Sequence, residues 1–359
     1  MKAPGRLDVI RRFREAGGKI AAVLPVHYPR AIFRAFGILP VEVWGPPGAD
    51  FSLSSSHLQT YVCPMAHGAL SLLKSEAGGL VDLVVVPHTC DTFQGLGSLL
   101  RDVAGIPQRV ITFYLPKGNR KTDVRFLSEE LRGLYQELSQ FTGLKPSPDS
   151  LMEHQLREEE ANSLLRSLYR SRAKLGLGDL EFYRLVRLRE YLPVEEFIHL
   201  LKKTLESLPV SGDKGGVSIV VSGIVPEPME IFDVIGEFGG RVVADDLACC
   251  HRRIYRFEGE GDDPFVRMAR YLISGPPDVL KGSSLKDRAE ELIGLCGRHG
   301  AKGVVFYLPK FCEPELFDIP ILREFLEKEG VRSLVVEVDP TKPLSQQVVN
   351  RIGAFLEVL

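Results

Sequence analysis

No two of the six cysteines stand two residues apart, so the paired spacing of a zinc ribbon or a ferredoxin-type cluster is missing. Any metal site must therefore be assembled by the fold. No apolar run reaches the ~18 residues that a transmembrane helix needs. The opening Met1-Lys2-Ala3-Pro4-Gly5-Arg6 leads into a charged amphipathic stretch without a signal-peptide apolar region. A cytoplasmic protein with no membrane contact is expected. Basic excess is also lacking: 45 Lys and Arg face 47 Asp and Glu, for a formal net charge of -2. That excludes the electrostatic footprint of a nucleic-acid binder. A GxGxxG or P-loop phosphate cradle is absent too, so nucleoside triphosphate is not expected to bind this chain.

What is present is length and a repeated pattern. At 359 residues the chain exceeds one ordinary core and should hold two or three domains at roughly 100–200 residues each. Residues 304–314 form a Val-rich apolar run that stops at Pro309 and presents Cys312 three residues later. An earlier run, Leu83-Val84-Val85-Val86-Pro87-His88-Thr89-Cys90-Asp91, has the same form. Such runs read as strands buried on both faces of a parallel sheet, and ligands sit beyond the carboxyl ends of such strands.

In chain order, helical spacing over 7–16 leads to a strand at 19–26, a helix opened by Pro29, and a strand at 40–45. The 46–57 segment is a loop that delivers Cys63-Pro64 to the start of a helix, where unpaired amides favour a thiolate. Strands at 81–86 and 109–115 follow. From 122 to 207 the chain is charged and helical in period, with breaks at Pro146-Ser147-Pro148 and 176–179. After a linker at 209–216 the first pattern returns: strand 217–222, a proline-led helix, strand 241–244, then Asp245-Asp246-Leu247-Ala248-Cys249-Cys250. Helices at 264–273 and 284–298 precede the 304–314 run, and a helix, a strand at 333–338 and a final helix close the chain. The expected fold is α/β: two Rossmann-like parallel-sheet domains (1–120 and 211–359) with a helical segment (121–210) between them.

With its strands, prolines and cysteines in this order, the chain resembles the D-component family of 2-hydroxyacyl-CoA dehydratases and ATP-dependent benzoyl-CoA reductases. The resemblance rests on Pro29 with Ala35-Phe36-Gly37-Ile38-Leu39-Pro40-Val41, on Cys63-Pro64, on 86–91, and on Asn162 with Arg166. It continues through Val243-Ala244-Asp245-Asp246, Phe311-Cys312-Glu313-Pro314, and Glu337-Val338-Asp339 with Gln347, Arg351, Ala354 and Phe355. The chain departs from the family pattern at Ala66-His67, at Gln94 and at Val349.

The resemblance implies a 4Fe-4S cluster held by Cys63, Cys90 and Cys312, with one iron open. It also implies an acyl-CoA substrate, a second D-component subunit, identical or different, and an ATP-hydrolysing activator that supplies one energised electron. The dehydratase reaction is expected, with a benzoyl-CoA reductase-type subunit, a double-cluster reductase using Cys249 or Cys250, and a non-catalytic electron-transfer subunit as alternatives. A proton acceptor is needed near an open iron, and His88 and His67 are the candidates. Ser55 and Ser56 are candidate donors to a thioester oxygen. From the residues alone each has a plainer role: the cysteines as small buried hydrophobes, the histidines as hydrogen-bonding residues and the serines as a solvated loop. Cys296, on the apolar face of its helix with Leu292, Ile293 and Leu295, is expected in the core.

Overall fold

The structure is a computed structural model, and it describes residues 4–44, 48, 50–207, 215–257, 261 and 263–359. Most of the expected 209–216 linker, Pro46 at the start of the 46–57 loop, and Met1 to Ala3 lie outside the described residues.

Among the described residues eight strands form two sheets of four, all parallel: β1 Lys19–Val23, β2 Ile38–Glu42, β3 Leu83–His88 and β4 Arg109–Tyr114 in the first. The second holds β5 Val217–Gly223, β6 Gly240–Leu247, β7 Gly303–Pro309 and β8 Arg332–Val338. Their orders, β2-β1-β3-β4 and β6-β5-β7-β8, are the same. The two halves thus repeat one topology, as the recurring strand–proline–cysteine pattern suggests. β3 and β7 are buried along almost their whole length because helices cover both faces, which is why they read as continuous apolar runs.

Three boundaries differ from expectation for local reasons. β2 runs from Ile38 to Glu42 where 40–45 is expected, and Pro40 is tolerated inside it because β2 is an edge strand and one side of its backbone has no ladder to feed. β1 ends before Pro25, and β6 runs on to Leu247. That extension takes Asp245 and Asp246 into the sheet, opposite Val221 and Ser222.

Four helices, Lys121–Thr142, Pro148–Arg170, Asp179–Arg187 and Val194–Glu206, form the expected helical segment. Pro148–Arg170 packs on the first unit's helix Arg30–Ala35, and Lys121–Thr142 on Pro264–Ile273. Tyr255, Met268, Tyr271 and Leu272 therefore share a core with the first sheet although they follow β6 in the chain. A second core runs continuously from Ala22 and Val84 to Ile219 and Val305, so apolar side chains join the two sheets. Among the described residues no helix is long and apolar enough to cross a membrane.

Candidate functional site

The carboxyl ends of strands from both sheets open onto one cavity. Cys63, Cys90 and Cys312 all line it, together with Val26, Trp44, Thr89, Phe93, Ile224, Leu280 and Phe311. Most lining stretches follow a strand: Val26 after β1, Trp44 after β2, Thr89 and Cys90 after β3, Ile224 after β5, and Cys312 after β7. Residues far apart in the chain thus meet at a sheet edge, where α/β folds place ligands.

All three cysteines occupy the N-cap of a helix: Cys63 before Pro64–Lys74, Cys90 before Asp91–Asp102, and Cys312 before Glu313–Lys328. The sequence pattern points to this for Cys63; the structure adds the other two. None forms a regular capping hydrogen bond. Even so, the amides of Met65 and Ala66 face the Cys63 sulfur, those of Phe93 and Thr92 face Cys90, and that of Glu315 faces Cys312. These N–H groups and the helix dipoles favour a thiolate.

Burial works against them and wins. It pushes the Cys63 thiol up to about 12, and raises Cys90 and Cys312 as well, with nearby thiols and carboxylates adding to the rise. Three sulfurs in one dry cavity become thiolates together only if a cation offsets their charge. Among the described residues no three His, Cys, Asp or Glu side chains stand close enough to ligate a single metal ion. The hydroxyl of Thr89, a residue 8% exposed, is buried without a hydrogen-bond partner, an unmet polar group beside the thiols.

Phe311, which also lines the cavity, has a left-handed backbone (φ 59°). For a bulky residue that costs about 1–2 kcal/mol. The turn aims Cys312 inward from the end of β7.

The other expected site residues lie apart from this lining. His67 is buried, stacked on Phe51, and uses both ring nitrogens, on Ser54 Oγ (2.9 Å) and the Gln59 carbonyl (3.0 Å). It fastens the segment ahead of Cys63. Ser55 and Ser56 are exposed, and Ser55 donates to the Phe51 carbonyl at 2.7 Å. His88, half-buried at the end of β3, meets Tyr114 edge-on. Cys296 is packed in the second sheet's core with Leu292 and Leu295.

Cys249 and Cys250 are buried with their sulfurs 3.4 Å apart, and they line a different pocket with Arg30, Arg189 and Arg253. Sequence reasoning missed this pocket. It missed equally the ionic cluster in which fully buried Arg252 binds Asp246, Asp278 and Glu315. The available signal was the charged pair Arg252-Arg253 directly after a buried strand end.

Two parallel-sheet units joined by a continuous core, with three helix-capping thiols at their shared edge, define a two-domain α/β protein with a sulfur-rich cleft. The family described as 2-hydroxyglutaryl-CoA dehydratase, D-component, matches residues 25–359, and the chain belongs to it. The chain is similar to the beta subunit of lactoyl-CoA dehydratase from Anaerotignum propionicum, 27% identical with 96% of this chain and 93% of that one covered. It is also similar to a subunit of the benzoyl-CoA reductase of Thauera aromatica (25%, covering 97% and 93%). A third relative is the beta subunit of (R)-2-hydroxyglutaryl-CoA dehydratase from Acidaminococcus fermentans (21%, 98% and 95%). Among solved structures, the periplasmic zinc-binding protein TroA of Treponema pallidum aligns over 95% of this chain and 99% of that one. At 12% identity and a TM-score of 0.26 it carries no weight.

Proposed function

We propose that this chain is the iron–sulfur subunit of a 2-hydroxyacyl-CoA dehydratase-type radical enzyme, in which Cys63, Cys90 and Cys312 hold a 4Fe-4S cluster with one iron free of protein ligands. The observation that supports it most is the convergence of three helix-capping thiols on one cavity, with no fourth cysteine among the described residues of its lining. Thiolates are the donors iron–sulfur clusters take. Such a cluster, when bound, supplies one-electron reduction and an iron position open to a substrate oxygen.

The chain's own residues have separate tasks in this reading. The helix N-termini stabilise the three thiolates. Val26, Ile224, Leu280, Phe93 and Phe311 keep water from the cavity, and a dry site strengthens every electrostatic contact within it. The unpartnered Thr89 hydroxyl would donate to a ligand atom in the cavity. His88, two residues before Cys90, is the proposed proton acceptor. Of the other assigned groups, His67 and Ser55 act at one remove by holding the 51–59 segment, and Ser56 lies exposed beside them.

The partners in this reading are an acyl-CoA, a second D-component subunit and an ATP-hydrolysing activator in the cytoplasm, where thiols stay reduced. A benzoyl-CoA reductase-type role is the second reading, and Trp44, Phe93 and Phe311 in the cavity lining favour it, since aromatic faces suit a planar ring.

The test is turnover by the anaerobically reconstituted assembly of this chain, its partner subunit and the activator. With ATP, a 2-hydroxyacyl-CoA should lose water and benzoyl-CoA should remain unchanged. Reduction of benzoyl-CoA would select the second reading. Turnover that persists without ATP, or in Cys312→Ser, would refute both.

A further inference from the structure

The pocket lined by Cys249 and Cys250 lies between the first sheet, the helical segment and the second sheet. Its wall carries three guanidinium groups, Arg30, Arg189 and Arg253, and one carboxylate, Glu158. Glu42, fully buried behind it, is already saturated. It accepts from Tyr28 (3.1 Å), from Trp44 (3.0 Å), from Arg30 and from Arg253. Glu158 is likewise taken by Arg34 and Arg189, while Arg34 has its own second partner in Glu195. The three wall cations meet Glu42 and Glu158, and Arg253 also has Glu190 at 3.9 Å. Burial, with Arg30 nearby, brings Arg189 down to about 9.

Arg253 carries the unpartnered donors of this wall. It is 7% exposed, and only its Nη1 is engaged, by Glu42. Nε and Nη2 make no hydrogen bond to the described residues. Glu190 lies 3.9 Å from Nη2 and is itself held by Arg6 and Arg187. Nε and Nη2 form one edge of the guanidinium, the edge that takes a carboxylate side-on through two parallel bonds. Leu165, Val186, Met268 and Leu272 complete the pocket with apolar surface.

We propose that this pocket is a binding site for a small organic carboxylate, received side-on by Arg253 with its alkyl part against Leu165, Met268 and Leu272. Val26 borders both this pocket and the three-thiol cavity. The ligand is thus either a free carboxylate or the carboxylate end of an acyl thioester whose thioester lies toward the thiols. The second source rests on the function proposed above; the first does not.

The experiment is calorimetric titration of the anaerobically purified full chain, without activator or turnover. The probes are butyrate against butyramide, and glutaryl-CoA against valeryl-CoA. Binding of butyrate but not butyramide supports the site with a free carboxylate as ligand. Preference for glutaryl-CoA over valeryl-CoA, with no response to butyrate, supports it with the thioester as source. In either case Arg253→Gln should weaken the anionic probe by about 30-fold or more. Should that variant fail to fold, the wild-type pairs still decide. Equal binding of charged and uncharged members in both pairs, or no binding of any, would overturn the proposal. So would a folded Arg253→Gln with unchanged affinity. A chain that binds butyrate yet never dehydrates a thioester would leave this site standing and remove only the proposed reaction.

Discussion

The two halves share a strand order, and they agree at one corner of the site and differ at another. The third strands β3 and β7 end alike: Pro87 and Pro309 are each followed three residues on by a helix-capping cysteine, Cys90 and Cys312. After the second strands the halves part. Beyond β2 the chain brings Cys63 to the shared cavity, whereas beyond β6 it turns Cys249 and Cys250 into the neighbouring pocket. There it plants Arg252 among Asp246, Asp278 and Glu315. A duplicated scaffold had room to aim four thiols, two from each half. Divergence after the second strand leaves three, and puts a buried charge network where symmetry would have supplied the fourth.

That network is the sharpest way to break the comparison. Arg252 has no exposed surface, and Glu315, whose amide faces the Cys312 sulfur, is held by both Arg252 and Arg288. Replacing Arg252 with Met leaves three carboxylates short of a cation and should cost about 3–5 kcal/mol. Urea unfolding under anaerobic conditions measures it. A loss below ~1 kcal/mol would mean that the second half is not built around this ion.

A smaller effect follows from pH. Burial lowers the His27 imidazole below its ordinary 6.5, against the hydrogen bond to Asp278 at 2.8 Å, so the ring is neutral in the fold. For Asp278 burial acts upward, but Arg252, His27 and Lys281 outweigh it and hold the carboxyl below its ordinary range. In both cases the unfolded chain binds more protons than the native one, so stability is full above the unfolded value and falls as pH drops. The first decline should begin just below pH 6.5 from His27, with Asp278 adding a second below its ordinary 3.8. His27→Asn should flatten the first decline alone in a series of unfolding curves. An unchanged slope would show that the ring takes up its proton equally in the folded and unfolded chain.

At the cavity itself, Phe311→Gly should relieve the left-handed backbone and raise stability by up to ~1 kcal/mol. The same change opens the cavity, so loss of iron in air should quicken. In contrast, Cys296→Ala should cost ~1 kcal/mol as a small core truncation and leave iron content as it was. Thermal unfolding and iron release, read side by side on these two variants, separate a residue of the cavity from a residue of the core.

Much of the fold was legible because Val-rich runs between helical periods leave little choice but buried parallel strands, and because the second half repeats the first. The corner residues were legible for the same reason: Cys90 and Cys312 follow strand ends, where a parallel sheet presents side chains to ligands. Side-chain direction in the 51–59 segment was not. Whether His67 faces the thiols or Ser54 is set by two local hydrogen bonds and the Phe51 ring, which no spacing rule encodes. Equally hidden was the meeting of Arg253 with Glu42, 211 positions away, since charge alone does not say which carboxylate a buried arginine will find.

The central claim is that Cys63, Cys90 and Cys312, and not the Cys249-Cys250 pair, hold the metal. Iron and sulfide analysis with electron paramagnetic resonance, on anaerobically purified wild type, Cys312→Ser and Cys250→Ser, tests it most directly. About four irons per chain are expected in the wild type and in Cys250→Ser, with the cluster signal lost in Cys312→Ser. A full cluster in Cys312→Ser together with its loss in Cys250→Ser would contradict the account.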